Sequence, residues 1–261
     1  MTHNMQDIAI PNFDLKGKVA VITGGTKGIG YGIALTYANY GADVVVASRT
    51  VADCERVEKE LQSLGVRAMG IPTDVSVGAQ VDSMIDKVVE KLGRVDIMVA
   101  NAGVGNTKKA VDLTDAEWDT VVDIDLKGVF YSARAAARQM IKQGDGGRVI
   151  NVASAAGVIG AIGLAPYTAA KAGVVNMTKT LAGEWGRFGI TVNALCPGYV
   201  ATSINDDVLG TPAWDKIVKA TILRRSGEIS EIAAGALFLA SDFSGFMTGA
   251  TLLMDGGTTA L

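Results

Sequence analysis

Short apolar, β-branched runs alternate with longer stretches of helical periodicity along nearly the whole chain, and no other feature narrows its fold so far. "KVAVITG" precedes "GIGYGIALTYANYG", "DVVVAS" precedes "VADCERVEKELQSLG", and the alternation runs on through "VDIMVANAG", "GRVINVAS" and "ITVNALCPG" to "ATLLMDGG". Strands that are apolar at successive positions are buried on both faces, as in a parallel sheet between two helix layers. The expected architecture is a doubly wound α/β sheet, forming one domain over residues 15–261 behind an N-terminal extension of residues 1–14. Periodicity is weakest between Pro197 and Gly227, where Gly, Pro, Asp and Thr are dense, which predicts a mobile loop or helical lid near 198–227.

Composition excludes several chemistries. A net charge of -3 with no cluster of Lys or Arg offers no footprint for nucleic acid or an anionic membrane surface. The N-terminus lacks the charged and apolar blocks of a signal peptide, so a cytoplasmic protein is expected. Cys54 and Cys196 form no C-x-x-C pair, and neither a disulfide framework nor a structural zinc site is suggested. His3 is the only histidine and sits in a terminal segment expected to be mobile, which removes Ser-His-Asp and Cys-His machinery and makes a histidine-ligated metal site hard to build.

Directly after the first strand, "TGGTKGIG" spaces Gly24, Gly28 and Gly30 as G-x-x-x-G-x-G, with Thr26, Lys27 and Ile29 between them and a helix behind. The glycines suit a tight turn, backbone approach to a pyrophosphate and helix-on-strand packing, and the helix start offers free N–H groups to phosphate. About 20 residues beyond such a loop an Asp or Glu ordinarily takes the ribose hydroxyls of NAD. Here the second strand ends on Ser48 and Arg49. A guanidinium can bind a 2′-phosphate that a carboxylate would repel, and Lys27 could add a second charge, so NADP(H) is the expected cofactor. Solvated surface charges are the plainer alternative for both residues.

The stretch "INVASAAGVIGAIGLAPYTAAKAG" ends a strand near Ser154 and opens a helix near Tyr167. Tyr167 and Lys171, four apart, share one helical face. A phenol is a poor acid or base at neutral pH, but a neighbouring ammonium favours the phenolate, which suits Tyr167 to exchange a proton with a carbonyl or alcohol oxygen. Packing alone could also explain this pair.

Taken together, T-G-x-x-x-G-x-G at Thr23 to Gly30, "NAG" at Asn101 to Gly103, Ser154, Y-x-x-x-K at Tyr167 to Lys171, and "PG" at Pro197 and Gly198 resemble the short-chain dehydrogenase/reductase family over nearly the whole chain. The resemblance implies a single-domain Rossmann fold with a seven-stranded parallel sheet. It implies that Ser154 polarises the substrate oxygen, Tyr167 is the general acid/base, and Lys171 tunes Tyr167 and holds the nicotinamide ribose, with direct hydride transfer and no metal. It also implies cofactor contacts from Asn101, Ala102 and Gly103 near the adenosine ribose, Asp74 and Val75 at adenine, and Pro197, Gly198, Val200 and Thr202 at the carboxamide end. One position departs from the pattern: in "DIDLKGVF" the family's usual Asn is Asp125. A carboxylate there would favour the ammonium form of Lys171, so retained activity with an altered pH profile is expected.

The apolar "AAGVIGAIGLA" segment, the lid and the C-terminal "GGTTAL" are expected to face the substrate, which suits a small or apolar ketone or a keto-sugar/polyol. "LAGEWG" and "PGYVAT" resemble gluconate 5-dehydrogenase-like members. Arg224 and Arg225 could meet an anion or simply be surface charges. Two long helices, about 115 to 143 and 166 to 187, are apolar around much of their circumference, and the resemblance implies a homotetramer built on them. A carbonyl reductase or alcohol dehydrogenase is the leading reading, a 3-oxoacyl-carrier-protein reductase its enzymatic rival, and a non-catalytic nucleotide sensor its rival in another class.

Overall fold

The computed structural model describes residues 12–105, 107–202 and 209–260. In chain order the elements are β1 (Val19–Thr23), α1 (Gly28–Asn39), β2 (Asp43–Ser48), α2 (Val51–Gln62), β3 (Ala68–Pro72), α3 (Gly78–Leu92) and β4 (Ile97–Ala100). They continue with α4 (Asp115–Val122), α5 (Gly128–Gln143), β5 (Gly147–Val152), α6 (Ala165–Trp185), β6 (Ile190–Pro197), α7 (Pro212–Lys219), α8 (Ile229–Ala240) and β7 (Thr251–Met254). The seven strands form one sheet in the order β3-β2-β1-β4-β5-β6-β7, and every neighbouring pair is parallel. This is the architecture expected from the apolar runs.

Side chains alternate across the sheet, so each strand feeds two cores. Ala20 and Ile22 of β1, Val44 and Val46 of β2 and Val99 of β4 face one layer, where Ile33 and Tyr37 of α1, Val57 of α2 and Ala236 of α8 are buried. Val19, Val21, Val45 and Met98 face the other, against Val81 and Met84 of α3, Ala136 and Met140 of α5 and Leu181 of α6. Each fully buried side chain of this size contributes about 1.5–3 kcal/mol. The buried Tyr37 hydroxyl donates to the Ala236 carbonyl at 2.8 Å, fixing α1 to α8.

Strands are added outward in opposite directions from β1 and β4, and the carboxyl ends of these two strands mark the switch point at which open α/β sheets bind ligands. A small apolar cluster of Ala100, Ala153, Val174, Ala194 and Cys196 lies at the carboxyl ends of β4, β5 and β6.

Two expectations change in detail. The helix expected over 115 to 143 is interrupted: α4 and α5 are joined by a wide π turn, Asp123–Lys127, that contains Asp125. Within 198–227, α7 supplies the helical part, and the ends are pinned by a bridge between Val200 and Gly227. Residues 203–208 of that segment, residues 1–11 of the extension including His3, and Leu261 lie outside the described residues. Phe13 of the extension stacks on Phe243 with ring centroids 4.4 Å apart. No helix among the described residues is long and apolar enough to cross a membrane.

Candidate active site

The glycine loop leaves β1 and is stitched to β4. The Gly24 N–H donates to Ala47 O at 2.7 Å. Thr23 Oγ1 accepts from the N–H groups of Asn101 (3.0 Å) and Ala102 (3.2 Å), and Asn101 Nδ2 donates to Thr23 O (2.9 Å) and Gly24 O (3.3 Å). Gly24 has φ +65°, and a Cβ there would come within 2.9 Å of Ala102 Cα. A Cβ on Gly30 would collide with Gly24 O and Asn101 Nδ2. These two glycines are therefore dictated by how closely β1, α1 and Asn101 pack. Gly28, at φ +55°, opens α1, and Thr202 stands over it at the distance of ordinary contact. The first N–H groups of a helix have no intrahelical partner, so Gly28, Ile29 and Gly30 present such N–H groups at the switch point.

Lys27 and Arg49 are both exposed, and among the described residues neither side chain forms a hydrogen bond or salt bridge. Ser48 Oγ lies 3.4 Å from the buried Cys54 Sγ. Asp74 Oδ1 accepts from Ser76 Oγ (2.7 Å) and Ser76 N (3.0 Å), which hold its carboxyl below the usual range despite partial burial, with Arg49 adding to the effect. Val75 is buried against Gly128, where a Cβ would come within 2.8 Å of Val75 Cγ2. Pro197 ends β6, and Gly198 donates to Met254 O at 3.0 Å, in a contact with Asp255 too close for any Cβ. Thr26 is buried, and its carbonyl accepts from Arg56 Nη2 at 3.1 Å. Sequence reading missed Arg56, for no motif joins it to a loop 30 residues away.

The second half of the site is built on β5 and α6. Ser154 caps a short helical turn, Ala155–Gly157, and its Oγ accepts from Ala156 N at 3.1 Å. A hydroxyl has one donor and two acceptor positions, so its O–H remains available to a ligand oxygen. Tyr167 is half-buried in the first turn of α6, and Lys171 Nζ lies 5.5 Å from its ring centroid. Lys171 is buried, donates to Val152 O at 3.1 Å and lies 3.1 Å from Asp125 Oδ2. That last contact is a buried ion pair. Asp125 is fully buried, and its Oδ1 accepts from Val104 N at 2.8 Å. A Cβ on Gly103 would stand 2.8 Å from Asp125 Oδ2, so a larger residue here would have to displace that carboxylate.

Burial raises the Asp125 carboxyl above its ordinary range, against the pull of Lys171 and the Val104 N–H. Burial works to lower Lys171, but the Asp125 carboxylate and the Tyr167 oxygen outweigh it and lift the amine above its ordinary value. Between those two titrations both members are charged, as the sequence led us to expect of a carboxylate beside Lys171. Burial likewise pushes the Cys196 thiol up to about 11, which leaves it inert. Arg225 is spent on Glu231, at 2.6 Å and 2.7 Å. Among the described residues no group of three His, Cys, Asp or Glu side chains is placed to hold a metal ion.

The family model described as "Enoyl-(Acyl carrier protein) reductase" matches residues 24–259. The chain is 39% identical over 241 residues to the 3-oxoacyl-(acyl-carrier-protein) reductase FabG of Staphylococcus epidermidis, covering 92% of this chain and 98% of that one. Among solved structures, a short-chain type dehydrogenase/reductase from Mycobacterium marinum superimposes with a TM-score of 0.91 at 38% identity, over 95% of this chain and 98% of that chain. A gluconate 5-dehydrogenase from Burkholderia cenocepacia, solved with NADP and tartrate, does so with a TM-score of 0.92 at 35% identity, over the same shares.

Proposed function

The chain belongs to the short-chain dehydrogenase/reductase family, and from that premise we propose that it is an NADP(H)-dependent oxidoreductase interconverting a ketone and a secondary alcohol. The observation that carries this reading is the buried Asp125–Lys171 pair beneath Tyr167, beside a glycine loop flanked by two exposed cations that have no ion-pair partner among the described residues. Gly28, Ile29 and Gly30 fit the pyrophosphate of a dinucleotide, and Lys27 and Arg49 fit a 2′-phosphate, because a carboxylate is missing where NAD would need one. The roles given to Ser48, Asp74, Val75, Asn101, Ala102, Gly103, Pro197, Gly198, Val200 and Thr202 are part of the same proposal. Bound NADPH supplies the hydride.

In the reducing direction the free O–H of Ser154 donates to the ketone oxygen and polarises the carbonyl. Tyr167 gives its phenolic proton to the oxygen as negative charge develops on it. The Lys171 ammonium, held by Val152 O and Asp125, stabilises the phenolate left behind. Oxidation of the alcohol reverses each proton movement.

The exposed apolar residues Val158, Ile159 and Ile162 between Ser154 and Tyr167 support a small or apolar ketone as substrate, and the likeness to a gluconate 5-dehydrogenase supports a keto-sugar. Resemblance to both a FabG and a gluconate 5-dehydrogenase keeps a 3-oxoacyl thioester as the second reading. A cytoplasmic homotetramer is proposed as well, and cell fractionation would check the location. The test of the chemistry is NADPH oxidation against a panel of ketones, 5-keto-sugar acids and acetoacetyl thioesters, with Tyr167→Phe beside the natural chain. Removing the proton donor is expected to lower kcat by about a hundredfold or more while NADPH still binds; a variant within a few-fold of the natural chain overturns the role of Tyr167.

A further inference from the structure

We infer that Arg56 is a positioning residue for the dinucleotide site, acting through the glycine loop rather than on the 2′-phosphate. The inference rests on the cofactor reading above. Arg56 projects from the second turn of α2, and its fork divides between two partners. Nη2 donates to the carbonyl of Thr26 at 3.1 Å, and Nη1 donates to Glu60 at 3.0 Å and 3.3 Å. Glu60 in turn accepts from Tyr31 Oη of α1 at 2.8 Å, and the guanidinium lies 6.0 Å from the Tyr31 ring centroid. One side chain thus ties α1, α2 and the glycine loop together.

The peptide between Thr26 and Lys27 makes this contact matter. It is trans and planar, so its carbonyl and its N–H point in opposite directions. A carbonyl turned toward the proposed pyrophosphate site would repel phosphate. Arg56 holds the Thr26 carbonyl toward α2, which turns the Lys27 N–H the other way and fixes the backbone from which α1 starts. The charge of Arg56 is already compensated by Glu60 and by Asp53, at 3.7 Å, whereas Lys27 and Arg49 are unpaired among the described residues. Arg56 therefore serves the pyrophosphate, common to both nicotinamide dinucleotides, and the unpaired cations serve the phosphate that distinguishes them.

The test is fluorescence titration of the full chain and of Arg56→Met with NADPH and with NADH, with melting temperatures of the unliganded proteins alongside. Arg56→Met is expected to raise Kd for both dinucleotides by a similar factor, about tenfold where the freed loop is binding-competent a tenth of the time, with a melting temperature lowered by a few degrees. Arg56→Lys keeps the charge but cannot fork between Thr26 and Glu60, so it is expected to weaken both as well and stands in if the methionine variant fails to fold. Loss of NADPH affinity alone would make Arg56 a direct reader of the 2′-phosphate and overturn the inference, as would unchanged affinity for both. If the natural chain binds neither dinucleotide, the cofactor reading itself fails.

Discussion

At the scale of single residues, the departure from the family pattern at Asp125 has the clearest consequence. Its Oδ1 takes the Val104 N–H and its Oδ2 faces Lys171, so both oxygens act as acceptors. Asparagine with the same geometry would turn an NH2 group toward the ammonium, setting donor against donor. Asp125→Asn therefore removes the charge that lifts Lys171, and the amine loses its proton at lower pH. The alkaline limb of kcat/KM against pH is expected to move to lower pH. The acid limb of the natural enzyme, where Asp125 takes up a proton above the ordinary carboxylate range because it is buried, should disappear from the variant. Superimposable profiles would show the substitution to be silent. The Tyr167 and Lys171 relation could be read beforehand, because four residues on a helix fix a shared face. Arg56 could not, since a guanidinium reaching across 30 residues leaves no periodic trace.

Among the elements, the strands were the most legible, since a parallel strand needs apolar residues on both faces and so announces itself as a continuous run. Helix α6 was nearly as plain. The break between α4 and α5 was not, because a period of 3.6 is insensitive to the one extra residue that a π turn inserts. Its cause lies in three dimensions: Val104 and Lys171 converge on Asp125, and Gly128 lets α5 approach Val75. The outward sides of α4 and α5 carry Trp118 and Ile141, 41% and 36% exposed, which supports burial of these helices between subunits. Light scattering is expected to give a mass near four times the 27.0 kDa of one chain. A monomeric mass at micromolar concentration contradicts the assembly.

For the molecule as a whole, sequence reading reached the fold class and the two halves of the site but not how they meet. That meeting depends on strand order: β1 and β4 are neighbours although 73 residues lie between Thr23 and Ile97, and β5 lies next to β4. Adjacency of this kind follows from crossover connections rather than from any local signal, and it brings the loop after β1 beside the Ser154, Tyr167 and Lys171 group. We propose that NADP(H) binds at this switch point for carbonyl reduction, with Arg49 answering to the 2′-phosphate. The measurement that tests it most directly is parallel titration of the natural chain and Arg49→Asp with NADPH and NADH. NADPH is expected to bind at least about tenfold tighter than NADH in the natural chain, the strength of a charged hydrogen bond, with the preference abolished in the variant. Equal or tighter binding of NADH by the natural chain would contradict it.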